Sequence, residues 1–226
     1  MNDCVEKKGK SGIWYGGLMT TETARVEAFS DGVFAIAITL LILEIKVPSP
    51  ASGELSRQLL RQWPSYFSFV ISFAFIGIMW MNHHRLFTHI KQCDDLLLVL
   101  NLLLLFGVTF VPFPTSVLAA HLGQPGQRTA TLLFNGTYFA IAVFFNLLWR
   151  HSSSKPHLLA EDVDMAAVHK ISTQYSFGPI LYFVCLALGW VSVPLSLALS
   201  LALACFFALP PHYASKVVKQ STKAPA

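Results

Sequence analysis

Arg25-Val-Glu27-Ala-Phe29-Ser30-Asp31-Gly32-Val-Phe-Ala-Ile36-Ala-Ile-Thr39-Leu40-Leu-Ile-Leu43-Glu44-Ile-Lys46-Val47 is the stretch on which the fold turns. It is long enough to cross a bilayer as a helix, which takes about 20 residues at a 1.5 Å rise. Its charges leave only Gly32 to Leu43 uncharged, roughly 18 Å against a hydrocarbon core of roughly 30 Å. A helix facing lipid all round would bury ionisable groups at considerable cost, so protein or water must cover part of it. On a helical wheel Gly32, Thr39, Leu40 and Leu43 fall within about 60° of Ile36, whereas Asp31 points about 140° away. An apolar face with one hydroxyl is thereby separated from a carboxylate. Taken alone, such a stripe is ordinarily a helix-packing face.

The rest of the chain is of the same kind. Of its 226 residues 54% are hydrophobic and only 12% charged, with a mean hydropathy of +0.55, far from the roughly 25% charged of soluble domains. Several apolar runs reach the length of a membrane span, and no separate soluble domain fits in what remains. The expected class is an all-α integral membrane protein. The net charge of +4 then reflects topology rather than nucleic-acid binding. No secretory signal is evident, because Lys7, Lys8 and Lys10 are not followed by a short apolar core and a cleavage site. Cys4, Cys93, Cys185 and Cys205 lack metal-ligand spacing and read as free thiols or small buried residues.

Taken in order, residues 1–21 read as a mobile cytoplasmic tail and 22–212 as a six-helix transmembrane domain. The spacing predicts helices at about 24–47, 63–88, 95–118, 129–150, 171–190 and 194–210, and a basic cytoplasmic tail at 213–226. Pro48 to Gly53 is a breaker cluster, and Glu54 to Gln62 can form a short surface helix. Phe110-Val-Pro112-Phe-Pro114 should bend or break the third helix. Asn101, inside that helix, is expected to bond a neighbouring helix. Asn135-Gly-Thr137 matches a glycosylation acceptor but lies within an apolar helix, out of reach of the transferase. His157 to His169 reads as a short amphipathic helix. The tract from Ile171 to Leu209 is too long for one crossing and divides near Trp190 to Pro194.

Six crossings put both ends on one side. That side would carry twelve of the sixteen Lys and Arg, leaving Lys46, Arg57, Arg61 and Arg128 opposite, so the bias in positive charge places both termini in the cytoplasm. Antiparallel first and second helices bring Arg25 and Asp31 to the level of Trp80, Asn82, His83 and His84. A carboxylate there would be stabilised by arginine, histidine or indole N–H donors. The paired histidines do not make a metal site, since neighbouring helix residues point about 100° apart and no further ligand accompanies them.

Arg25-Val-Glu-Ala-Phe29-Ser30-Asp31-Gly32 resembles the R-x-x-x-F-S-D-G signature of the transmembrane protein 175 family of potassium channels. The resemblance extends to the Trp80 to His84 cluster, the Phe110 to Pro114 segment and the six-helix plan. It implies a potassium-selective cation channel whose first helices line a central pore, with K+ as permeant ion and no cofactor. It also implies a homotetramer, because this chain carries one six-helix unit, in a prokaryotic plasma membrane. The family's apolar pore narrowing falls here on Ile36, Leu40 and Leu43, with Thr39 as a polar ring. Arg25, Phe29, Ser30, Asp31 and Gly32 would form a structural network with Trp80, Asn82, His83 and His84. No T-V-G-Y-G filter is present, so an apolar ring would have to select by the cost of stripping water from the ion.

The main alternative is a proton-coupled secondary transporter using Asp31 with His83 and His84 as a relay. Against it, Asp31 is expected near an interface, whereas transporter sites sit at the midplane. An intramembrane enzyme lacks support, since no G-x-S-x-G, H-E-x-x-H or nucleophile–base pair accompanies the histidines.

Overall fold

Each long apolar run of the sequence is helical in the computed structural model, which describes residues 14–15, 18–19, 21–49, 54–160 and 164–208. The expected C-terminal tail, the 50–53 part of the breaker cluster and most of the expected N-terminal tail lie outside the described residues. Helix α1 covers Ala24–Leu40 and tightens into a 3-10 turn at Leu41–Glu44. The other helices are α2 (Leu55–Arg61), α3 (Trp63–His89), α4 (Asp95–Phe110), α5 (Pro112–His121), α6 (Gln127–Ser153), α7 (Met165–Val191) and α8 (Val193–Ala208). Five segments are long and apolar enough to cross a membrane: Ala24–Glu44, Trp63–His89, Asp95–His121, Gln127–Ser153 and Val168–Val191. Helix α8 is also apolar but shorter, 16 residues within the described chain.

The side-chain pairs fix the directions of the helices. Asp31 meets Trp80 and Glu27 meets His84, so α1 and α3 are antiparallel. Ser72 meets Thr115 and His83 meets Asn101, so α3 runs against the α4–α5 span. Asp94 pairs with His151, Trp149 with Ser172 and Ser196 with the Cys185 carbonyl, which makes α4/α6, α6/α7 and α7/α8 antiparallel as well. Central α6 packs on α4, α5, α7 and α8. It buries Phe134, Tyr138, Ile141, Phe145, Leu148 and Trp149 at helical spacing, because an apolar stripe of that period can be shielded only by helices on both sides.

Several boundaries differ from the sequence reading, each for a local reason. The first helix ends at Glu44 rather than 47, with Ile45 already extended, since Val47 precedes Pro48 and is disfavoured in helix. The third crossing is two helices broken at Val111. There Pro112 and Pro114 remove backbone donors, and Thr115 Oγ1 donates to the Val111 carbonyl at 2.8 Å. In place of a separate amphipathic helix at His157 to His169, a 3-10 turn forms at Pro156–Leu158, and α7 begins at Met165 with Asp164 as its cap. Val168 and Ile171 are both buried, so the expected surface element continues directly into the crossing. The end of the expected N-terminal tail is also structured: Thr21–Glu22 pairs antiparallel with Gln92–Cys93, and Trp14–Tyr15 pairs with Leu18–Met19.

Several buried polar groups are matched across helices. Pro179 inside α7 removes the donor that would reach the Tyr175 carbonyl, and Asn146 Nδ2 of α6 supplies it instead at 2.9 Å. Asn135 is fully buried, with Nδ2 donating to Ser196 Oγ and Oδ1 accepting from Ser200 Oγ. A glycan therefore has no access to it.

One buried charge joins the helix ends. Asp94 caps α4 by accepting from the Leu97 N–H at 2.9 Å, and its oxygens also meet His151 Nε2 at 2.9 and 3.0 Å and Lys155 Nζ at 2.8 Å. Burial raises the cost of ionising it, but Lys155, the Leu97 N–H and His151 outweigh that and hold its carboxyl down at about 2. Neighbouring Cys93 is pushed up to about 12, by burial first and the Asp94 charge second, and is a neutral packing thiol. A carboxyl lowered from about 3.9 contributes stability that is full above its unfolded value and is lost as pH falls through its folded one. Thermal unfolding of the purified protein should therefore be insensitive to this group from pH 7 to 5 and weaken below about pH 4. Asp94→Ala, which strands Lys155 and the α4 cap, should cost about 3 kcal/mol at pH 7.

Candidate functional site

Helix α1 has two unlike sides. Ser30, Phe34, Ala37 and Leu41 follow one another at three- and four-residue spacing and are buried, so this side packs on α3 and α4. The other side shows Phe29, Gly32, Ile36, Thr39, Leu40 and Leu43. Ile36 is 60%, Leu40 42% and Leu43 62% exposed, against 0% for Ala37 and Leu41. The stripe chosen by the helical wheel is thus on the side of α1 that the rest of the described chain leaves uncovered. Thr39 turns its hydroxyl back to the Ile36 carbonyl at 2.9 Å, leaving the hydroxyl oxygen free to accept a bond on the exposed side. The 3-10 turn changes the upper part of the stripe: at about three residues per turn, Leu43 stands nearly above Leu40.

The buried side is fastened near the start of α1 by three polar contacts. Asp31 accepts from the Trp80 indole N–H at 2.8 Å. Glu27 meets His84 Nδ1 at 2.8 Å, and the His84 ring lies stacked over Trp80 with centroids 6.2 Å apart. Deeper in, Ser30 Oγ donates to the Val26 carbonyl at 2.8 Å and accepts from Asn101 Nδ2 at 3.0 Å, while Asn101 Oδ1 lies 2.9 Å from His83 Nε2. Since Asn101 spends its amide donor on Ser30, its oxygen is the acceptor, and the His83 proton sits on Nε2. Ser30 and His83 are fully buried, and His83 stacks on Phe87 at 4.4 Å and contacts Phe34 at 5.4 Å. A buried, fully directed chain of this kind holds three helices in one register.

Not every residue of the expected network joins it. Arg25 is exposed, and among the described residues it has neither a hydrogen-bond nor an ion-pair partner; Glu27 takes the anchoring place next to Asp31. Phe29 is 58% exposed and belongs to the open side. Asn82 turns away from α1 and accepts from Arg85, whose other nitrogen donates to the Ala208 carbonyl of α8. The two histidines diverge, His83 to Asn101 and His84 to Glu27, as residues about 100° apart on a helix must. Glu27 and Arg85 were legible as charges in the sequence, but no spacing rule pairs residues so far apart in the chain.

The comparisons with known proteins agree with this architecture. A family model described as the endosomal/lysosomal potassium channel TMEM175 matches residues 25–112, from the first residue of the signature to the break in the third crossing. A protein of Chamaesiphon minutus named as a potassium channel is 50% identical over 192 residues, covering 84% of this chain and 95% of its own length. Another from Streptomyces collinus, also named as a potassium channel, is 44% identical over 188 residues, covering 82% and 91%. The crystal structure of a lysosomal potassium-selective channel TMEM175 homologue from Chamaesiphon minutus superposes with a TM-score of 0.76 at 48% identity, covering 84% of this chain and 97% of the other. With half of all positions shared across nearly the whole of a relative, and with the Arg25 to Gly32 signature inside the matched span, the chain belongs to the TMEM175 family.

Proposed function

We propose that this protein is a potassium-selective channel, assembled as a homotetramer, in which the exposed side of α1 from each subunit faces a shared central pore. The observation that carries the reading is the division of α1 itself. One side is tied by Asp31, Glu27 and Ser30 to α3 and α4, while Ile36, Thr39, Leu40 and Leu43 are left uncovered. Relatives covered over most of their length that carry the name potassium channel support it. Closed rotational symmetry is the usual way for identical subunits to surround an axis.

Within such a pore the residues fall into two zones. Toward the start of α1 the exposed side carries Phe29 among the small Ala28, Gly32 and Ala35, and toward its end it carries the bulky Ile36, Leu40 and Leu43 in succession. We place the constriction at that apolar succession in the second half of the helix. An apolar ring of this kind offers no carbonyl cage, so an ion crosses it by shedding part of its water. That costs less for potassium than for the smaller, more strongly hydrated sodium ion. Thr39 oxygens can offset part of the loss, and an empty apolar ring can close the path by dewetting. In a proton-coupled transporter Asp31 and the histidines would form one relay, but here Asp31 bonds Trp80 and His83 bonds Asn101 in separate pairs. The channel is the better reading.

Three outcomes test it. In proteoliposomes containing only this protein, a potassium gradient should drive cation flux, and Ile36→Ser or Leu43→Ser should change conductance and lower the potassium-over-sodium preference. Their melting temperatures should stay close to the parent's, since both side chains are exposed. Asp31→Ala and Trp80→Phe should do the reverse, destabilising by about 1–2 kcal/mol through the lost hydrogen bond while leaving selectivity unchanged. Finally, Ile36→Cys should cross-link between subunits under mild oxidation. Monomeric behaviour of that variant in membranes would overturn the arrangement.

A further inference from the structure

A second feature of the fold lies away from α1. An apolar slot with a cavity volume of about 50 Å³, partly open to its surroundings, runs between α3, α6, α7 and α8. Its walls are Phe75, Met79, Tyr138, Phe145 and Phe207, and Gly178 leaves its side free of any side chain. Asn82 and Tyr175 line it as well, and Asn82 accepts from Arg85 Nη1 at 3.3 Å, so the guanidinium stands at that end of the slot. Arg85 is half-buried, and its acceptors are neutral: Asn82 Oδ1 and, at 2.8 Å from Nη2, the Ala208 carbonyl. Among the described residues no carboxylate lies within ion-pair distance of it. A half-buried cation without a counter-charge at the end of a membrane helix is poised for an anion.

The dimensions point to the source of that anion. Phe75 and Arg85 stand about 15 Å apart along α3, half of the roughly 30 Å hydrocarbon core. The slot's own lining on α3, from Phe75 to Asn82, covers about 10 Å of that span, and Arg85 follows about one helical turn beyond it, toward headgroup level. Its small volume and its aromatic and aliphatic lining suit one unbranched chain. Arg85 also lies on the membrane face where most Lys and Arg are expected, the face on which basic pockets between helices bind anionic lipid headgroups. We propose that this slot is a binding site for an anionic phospholipid of that leaflet, with one acyl chain between Phe75, Tyr138 and Phe207 and the phosphate on Arg85. The second acyl chain stays in the bilayer.

Native mass spectrometry of the full-length protein, delipidated and then titrated with phosphatidylglycerol or phosphatidylcholine of identical chains, tests this. Phosphatidylglycerol should be retained at least about fivefold more strongly, as about 1 kcal/mol for one arginine implies, and Arg85→Gln should abolish the preference. Gly178→Leu should reduce retention of both lipids: a Cβ there meets only Phe207 Cζ at an ordinary 3.6 Å, so the backbone tolerates it while the longer side chain fills the slot. Independently of any variant, phosphatidylglycerol carrying a diazirine at its chain end should label the segments around Phe75 and Tyr138. Equal retention of the two lipids by the parent protein, an unchanged preference in Arg85→Gln, or labelling confined to other surfaces would overturn the proposal. So would labelling that appears only after residues 209–226 are removed, since the slot would then belong to the chain's own tail.

Discussion

The constraint on which the structure depends is that polar and ionisable groups at the start of α1 cannot be left to hydrocarbon. Glu27, Ser30 and Asp31 occupy neighbouring faces of one turn, and each finds its partner on α3 or, through Asn101, on α4. An unsatisfied polar group in a lipid environment costs several kcal/mol, so these contacts decide how α1 is rotated about its own axis. Once Ser30, Phe34, Ala37 and Leu41 are turned inward, Ile36, Leu40 and Leu43 have no choice but to face out.

The same requirement organises the rest of the bundle. Asn135 ties α6 to α8 through two serines, Asn146 completes the backbone that Pro179 interrupts, and Asp94 gathers the start of α4 with the end of α6 and the loop after it. In a membrane, apolar packing between helices is barely favoured over packing against lipid. Directed polar contacts therefore supply register and specificity that shape alone would leave loose. They are absent from the exposed stripe of α1, where Thr39 satisfies its own hydroxyl within the helix.

This separation gives the proposed pore a mechanical rationale. Side chains that set an ion's dehydration barrier must hold their positions to within fractions of an ångström, yet must make no strong contact with the ion itself. Fastening the reverse side of the same helix achieves both. The network lies toward the beginning of α1 and the bulky residues toward its end, so a rigid helix transmits the rotational setting from one to the other. The 3-10 turn at Leu41–Glu44 adds a tighter winding just where Leu43 is presented.

Much of this could be read from the sequence. Hydropathy and run length specified an all-helical membrane protein, because the bilayer fixes both the length and the polarity of whatever crosses it. Helical periodicity separated Asp31 from the Ile36 stripe, and Pro112 and Pro114 marked the break in the third crossing. Local rules could not pair residues distant in the chain. That Glu27 rather than Arg25 anchors α1, that Asn82 serves Arg85 and α8, and that Asp94 is the hub of His151 and Lys155 became visible only when the helices were packed. Sequence by itself determined which groups could not face lipid; only the tertiary structure decided which partner each would take, because that depends on helix rotation and register, and these are set by the whole bundle at once.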